Sequence, residues 1–119
     1  MNQADRVRLE HMLEMALKAQ IIALNRTRRE LDTDDVLQLA LARAIEIIGE
    51  AGSKVSQDIQ LKQPQIPWAE ITAMRNRLIH AYFDINLDVL WTTVTDDLPP
   101  LIADLEKILA TGKPSSNSI

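Results

Sequence analysis

Residues 75–82 hold the side chains whose types and spacing could do chemistry. This octapeptide, the motif, reads RNRLIHAY and contains one of the two histidines and the only tyrosine of the 119-residue sequence. An imidazole exchanges a proton near neutral pH, and a guanidinium fits a phosphate with a rigid fork of N–H donors. These are the groups that cleavage of a phosphodiester without a metal requires. The motif therefore indicates phosphodiester chemistry, provided that its arginines and His80 share a site.

Length and composition limit the class of protein. A chain of 119 residues can bury one genuine core but not two, so we expect one helical domain over 1–111 and a flexible serine-rich tail over 112–119. The absence of cysteine excludes a disulfide framework, a thiolate nucleophile and a thiolate metal site. His11 and His80 lie far apart in sequence, which argues against a histidine-based metal site. We predict neither a metal nor a cofactor.

The charge balance restricts the partners. A formal net charge of −4 argues against a protein that coats nucleic acid non-specifically, because such binding needs many cationic contacts to phosphate. A local basic site remains open, and so does a basic protein partner. The cluster Arg26, Arg28 and Arg29 is more typical of a solvated helix end than of an RNA contact. Without a bilayer-length apolar run or a signal peptide, we expect a cytoplasmic protein with no membrane partner.

Helical periodicity dominates the chain and predicts an all-α fold of four to five helices. The predicted helices are 5–25, 34–52, 67–82, a segment from Leu87 that Pro99 and Pro100 end or kink, and 101–110. We expect the first helix to carry an apolar stripe of Leu9, Met12, Leu13, Ala16 and Leu17. Thr33, Asp34 and Asp35 supply capping chemistry for the second helix, and one face of that helix carries Leu37, Leu41, Ala44, Ile45 and Ile48. Its apolar stripe is widened by Val36, Leu39, Ala40 and Ile47, so we expect this helix at the centre of the fold or at an interface between subunits.

Helix geometry predicts where the motif side chains point. At about 100° per residue, three side chains fall within roughly 60° of Ile71 and form a core stripe with it. The stripe consists of Ile71, Met74, Leu78 and Tyr82. Asn76 and His80 lie near 140° and about 180° from Ile71 on the same count. We therefore expect His80 to point away from the core, with Asn76 close enough to orient its ring through a hydrogen bond.

Two alternatives weigh against a catalytic motif. A lone histidine in a helical protein is usually a surface residue or a satisfied core group, and a surface histidine near two arginines is a common coincidence. Arg75 lies about 140° from His80 on one helix, so the two would not converge easily within a single chain. Two copies packed across a two-fold axis would bring them together and would supply two histidines for general acid and general base.

Four segments of the sequence, taken in order, carry a family resemblance. They are Asp5-Arg6, the run IIGEA at 47–51, the run IPW at 66–68 and the run MRNRLIHAY at 74–82. With them the chain resembles the HEPN superfamily, and within it the HepT-like ribonuclease toxins, over about residues 4 to 110. The family motif is an arginine, a polar residue, three further positions, a histidine, any residue and a tyrosine. Arg75, Asn76, His80 and Tyr82 match it without a departure.

The resemblance implies an up-and-down helical bundle that dimerises through the motif helix, so that two motifs face each other in a cleft. It also implies the toxin of a type VII-like toxin–antitoxin system, with metal-independent endoribonuclease activity and tRNA among the substrates. By that analogy His80 transfers the proton, Arg75 holds the scissile phosphate and Asn76 orients the site. Arg77 is then the expected substrate-binding residue.

The resemblance further implies a regulator. The usual partner in the family is a small nucleotidyltransferase antitoxin that transfers AMP from ATP to the motif tyrosine, here Tyr82. A bulky, negatively charged nucleotide beside the cleft would exclude RNA by its size and by repulsion.

Two further interpretations remain beside the enzyme. One is a non-catalytic HEPN module that binds a nucleotidyltransferase, a nucleotide or RNA without cutting. The other is a plain four-helix scaffold with a fortuitous motif. The intact Arg75 and His80 pair favours the enzyme, whereas the negative net charge favours the binding module.

Overall fold

The computed structural model describes residues 1–81 and 84–111; at Arg75, at 79–81 and at Thr111 it describes the backbone alone. The predicted all-α class is confirmed, with one short hairpin as the β structure of the described part. The described residues form seven α-helices instead of the predicted four to five, because the connections at 28–31 and 57–62 are themselves helical. The elements in chain order are α1 (Gln3–Ala23), α2 (Arg28–Leu31), α3 (Asp35–Ser53), α4 (Gln57–Lys62), α5 (Trp68–Leu78), β1 (Ile79–Ala81), β2 (Asp84–Ile85), α6 (Leu87–Thr92), a π-helical segment (Thr93–Asp97) and α7 (Leu98–Thr111).

Polar side chains fix where several helices begin. Asn2 Oδ1 accepts from the Asp5 amide at 2.7 Å ahead of α1, and Asp34 Oδ1 accepts from the Leu37 amide at 2.9 Å ahead of α3. Each cap satisfies an N–H that has no partner inside its helix. The capping chemistry predicted for the second long helix is thus confirmed.

The bundle is built around α3, which packs against both α1 and α5, while α7 closes the other side of α1. The predicted buried face of α3 is confirmed in full. It consists of Leu37, Leu41, Ala44, Ile45 and Ile48. Val36 and Leu39 on the same helix are 77% and 65% exposed, and Leu17, expected on the buried stripe of α1, is 37% exposed. The apolar surface of α3 is therefore wider than the part that the other helices of the same chain bury.

Contacts between distant segments give the directions of the long helices. The Arg6 Nη2 group in the first turns of α1 donates to the Leu109 carbonyl near the end of α7 at 3.3 Å. At the opposite end of the bundle, Arg28 of α2 pairs with Asp88 of α6 at 2.8 Å. The end of α5 and the hairpin lie at this second end, the motif end. No helix in the described ranges is long and apolar enough to cross a membrane.

The two consecutive prolines interrupt the last long helix as the sequence predicts. Regular α-helix stops at Thr92, and the amide of Leu98 donates to the Thr93 carbonyl five residues earlier. Pro99 and Pro100 then fall in the first turn of α7, where a missing N–H costs little. The π-helical segment thus lets one helical rod continue past two prolines.

A buried carboxylate ties the start of α1 to the chain that follows α3. Asp5 is 2% exposed and accepts from the Ser56 amide at 2.8 Å and from the Ser56 hydroxyl at 2.6 Å. The hydrogen bonds from Ser56 hold the pKa of Asp5 below its usual range, against the opposing effect of burial. Asp5 therefore stabilises the fold as a carboxylate.

We expect Asp5→Ala to lower the free energy of unfolding by about 2 kcal/mol, because hydrogen bonds to a charged acceptor are lost and Ser56 keeps unpaired donors. Since the pKa is lowered in the folded state, this stabilisation is present above about pH 4, the unfolded value, and is lost as the pH falls through the folded value. Urea unfolding at several pH values checks both points. Glu14→Ala, which removes an exposed 3.8 Å ion pair with Lys18 in the same helix, is the control and should cost far less.

Candidate active site

The motif begins on α5, whose position is set by a buried stripe. Ile71, Met74 and Leu78 are all buried, which confirms three members of the predicted core stripe. The helix starts against a fixed loop, because the Trp68 indole N–H donates to the Gln63 carbonyl at 3.0 Å. Asn76 is exposed on α5, as its place away from the stripe predicts.

The helix predicted to run to Tyr82 ends instead at Leu78, so that boundary is wrong. Ile79 pairs with Ile85 in the antiparallel hairpin, and the Asn86 amide donates to the Leu78 carbonyl at 2.6 Å. Branched residues fit a pleated backbone better than a helix, and the pairing supplies backbone hydrogen bonds that replace those of a further helical turn. Tyr82 lies outside the described residues.

His80 sits on β1, not on the helix, and this overturns the helical estimate of its direction. The pairing register advances two residues from Ile79 to Ala81 but one residue from Ile85 to Asp84, so His80 is the extra residue of a β-bulge. The predicted hydrogen bond from Asn76 across one helical turn therefore loses its geometric basis. Bulges occur often beside active sites, where they redirect a side chain. The convergence of His80 with Arg75, whose backbone lies on α5, stays a prediction.

The second motif arginine lies at a groove beside the motif. Arg77 is exposed, donates to the Glu70 carbonyl at 3.4 Å and lines a groove of about 260 Å³ between α5 and α7, the α5–α7 groove. Across that groove stands Asp97, whose pKa is raised by burial and held back by the positive charge of Arg77. Asp97 was not among the site residues predicted from the sequence. Its position two residues before Pro99 and Pro100, which force an irregular helix, was the sequence feature that could have indicated it.

The arginine cluster after α1 is largely neutralised. Arg26 pairs with Glu30 at 2.7 Å and with Asp34 at 2.5 Å, and its hydrogen bond lowers the pKa of Glu30. Arg28 is bound to Asp88. These pairs agree with a solvated helix end and leave little charge for RNA. Among the described side chains, no group of three or more histidines, aspartates and glutamates is placed to hold a metal ion.

Comparison with known proteins gives the family. A family model described as "Ribonuclease HepT-like" matches residues 12–108, a span that includes the whole motif. The chain belongs to the HepT-like ribonuclease family. The resemblance found in the sequence is thereby confirmed, and so is the expectation of a ribonuclease, at the level of the family.

Curated relatives agree with that assignment. A Thermococcus cleftensis protein named "Probable ribonuclease HepT" is 47% identical over 75 residues, which cover 63% of this chain and 68% of the relative. A Caldanaerobacter subterraneus protein named as a "Putative RNase" is 40% identical over 76 residues, 64% of this chain and 68% of its own. A third, from Methanocaldococcus jannaschii, is 39% identical over 77 residues, 65% and 71% of the two chains. No solved structure gives a significant match.

The close approach of α5 to α3 depends on a glycine. A Cβ atom placed on Gly49 of α3 would lie 3.1 Å from the Ile71 carbonyl oxygen of α5, a backbone atom that cannot rotate away. A Cβ on Gly52 would instead meet the ends of the Ile71 and Met12 side chains, at 3.1 and 3.3 Å. Gly49 therefore sets how closely the helix that carries the motif packs.

We expect Gly49→Ala to lower the free energy of unfolding by about 1–2 kcal/mol, because α5 must shift and the cost of overpacking exceeds the gain in helix propensity. Gly52→Ala should be nearer neutral, since flexible side chains can yield. Chemical denaturation of both variants measures the difference. Equal stability of the two would contradict the role assigned to the backbone contact.

Proposed function

We propose that this chain is a metal-independent endoribonuclease that cleaves RNA, with tRNA as the expected substrate. The observation that carries the proposal is membership of the HepT-like ribonuclease family over a span in which Arg75, Asn76 and His80 match the family motif without a departure. Neither a metal nor a cofactor enters the proposed reaction.

The proposed chemistry is an internal displacement at phosphorus. One His80 imidazole takes the proton of the ribose 2′-OH, the oxygen attacks the adjacent phosphorus, and the bond to the 5′-oxygen breaks. A second imidazole returns a proton to that 5′-oxygen. The products are a 2′,3′-cyclic phosphate and a 5′-hydroxyl. Arg75 stabilises the charge that develops on the phosphate, Asn76 orients the reacting groups and Arg77 contacts the substrate.

A homodimer formed through the motif helix would supply the second imidazole. Large apolar side chains are exposed at the motif end of the bundle, on the last turn of α1 and the first turns of α3. They are Ile21, Leu24, Val36 and Leu39. Several large apolar side chains exposed near one end of a bundle are more typical of a protein interface than of a solvated surface, which supports an assembly at this end.

The proposed regulator is a partner nucleotidyltransferase antitoxin that transfers AMP to Tyr82. The chain would then be the toxin of a toxin–antitoxin pair. The nucleotide would place a negative charge two residues from His80, where the substrate phosphate must approach, so repulsion and size would both exclude RNA.

A non-catalytic HEPN module that binds a nucleotidyltransferase, nucleotide or RNA is the second candidate. The observation that favours it is electrostatic. The net charge is −4, and Arg26 and Arg28 are neutralised by ion pairs, so the arginine cluster after α1 offers little charge to a long RNA. Cleavage assays separate this candidate from the enzyme.

We expect His80→Ala to abolish cleavage of total tRNA in EDTA, since the group that moves the proton is removed. His11→Ala is the matched control, because His11 is an exposed histidine far from the motif in sequence, and it should cut at the wild-type rate. Circular dichroism verifies that both variants fold. If wild type and His80→Ala are equally inactive, and intact mass shows no AMP adduct on the wild type, the binding module takes the place of the enzyme.

We expect Tyr82→Phe to retain ribonuclease activity and to escape inactivation by the partner and ATP, because phenylalanine keeps the ring and lacks the acceptor oxygen. The measurements are tRNA cleavage after incubation with the nucleotidyltransferase and ATP, together with intact mass. If the Tyr82→Phe variant still gains the mass of AMP and loses its ribonuclease activity, the AMP acceptor is a residue other than Tyr82.

A further inference from the structure

The α5–α7 groove adjoins the motif and has the dimensions of a small ligand site. At about 260 Å³ it lies below the roughly 300–1,000 Å³ of sites for drug-sized ligands, which suits one planar ring system. Its apolar walls come from both helices and from the residues that precede them. They include Pro67, Ile71, Met74, Leu98, Pro100 and Leu101. Arg77 of the motif lines the same groove, so a ligand there would lie next to the proposed active site.

Asp97 is the polar group that sets this groove apart from an ordinary gap between helices. It is the last residue of the π-helical segment, and short π-helical turns occur frequently at functional sites. Asp97 is exposed and lines the groove, where desolvation raises the pKa of its carboxyl while the positive charge of Arg77 lowers it. A carboxylate and a guanidinium thus face one apolar slot from two different helices.

We propose that the α5–α7 groove is a base-binding subsite in which Asp97 selects a guanine next to the scissile phosphate. The inference rests on the proposed ribonuclease function. Single-stranded RNA is read by bases that leave the stack, rest against side chains and form hydrogen bonds through their Watson–Crick edges. Guanine presents two adjacent N–H donors on that edge, N1–H and the N2 amino group, which match the two oxygens of one carboxylate. Arg77 then holds the phosphate of the same nucleotide.

The charge of the groove favours a neutral base over the RNA backbone. Glu70 and Asp104 also line it, so three carboxylates stand against one arginine. Phosphates are repelled from such a slot, whereas an uncharged base with outward N–H donors is not. The backbone would stay outside, at Arg77, and the base alone would enter.

The first test maps cleavage sites on a random-sequence RNA by sequencing the 5′-hydroxyl ends. Wild type should show guanine enriched at one fixed position beside the cut, and Asp97→Asn should reduce that preference on the order of tenfold, as expected for the loss of a bidentate base contact. Asp96→Asn is the matched control, because Asp96 adjoins Asp97, carries the same charge and is absent from the groove lining. An unchanged base profile in Asp97→Asn, or an equal loss in Asp96→Asn, overturns the proposal.

The second test does not depend on cleavage. Equilibrium binding of 5′-GMP and 5′-AMP to the His80→Ala chain should favour GMP on the order of tenfold, and Asp97→Asn in that background should remove the difference. If wild type cuts no RNA yet this discrimination is present, the catalytic proposal fails and the subsite stands. Equal binding of the two nucleotides overturns the subsite. Tighter binding of an oligolysine peptide than of GMP, lost in Asp97→Asn, overturns it in favour of a protein-docking groove.

Discussion

The contact between Gly49 of α3 and the Ile71 carbonyl of α5 is the constraint on which the geometry of the candidate site depends. A side chain on Gly49 would push against backbone, so the absence of one lets the two helices pack at close range. Because α3 is also packed on α1, the position of α5 is fixed relative to the whole bundle. The motif starts four residues after Ile71, so this approach sets how far the start of the motif lies from α3.

Two departures from regular α-helix flank the candidate site. At Leu78 the helix gives way to a hairpin, because Ile79 finds a partner in Ile85 and the Leu78 carbonyl finds the Asn86 amide. In the last helix, Pro99 and Pro100 remove two donors, and a π-helical segment ending at Asp97 accommodates them. Regular helix would have placed neither His80 on a bulge nor Asp97 at the end of a π-helical segment, so these two departures decide where the backbone of each residue lies.

The electrostatics of the chain are local. A net charge of −4 opposes the approach of RNA at long range, and ion pairs to Glu30, Asp34 and Asp88 neutralise Arg26 and Arg28. Arg77 lines an apolar groove, and Asp97 lies close enough for the positive charge of Arg77 to lower its pKa. Under the proposed function, RNA would therefore be held by short-range contacts at the motif and not by a broad basic surface.

The sequence by itself determined the helical class, the buried face of α3, the cap at Asp34 and the family motif. Each of these is a local pattern, visible in the sequence as a helical period or a fixed spacing between residues. It did not determine the end of α5. The apolar period continues through Tyr82 by coincidence, while the hydrogen bonds that stop the helix at Leu78 come from residues beyond the turn. The exposure of Val36 and the place of Asp97 in the α5–α7 groove likewise depend on which helices cover which faces. Tertiary packing alone decided those features. Burial lowers the free energy only when two surfaces meet, and a residue's position in the sequence does not show which surface will cover it.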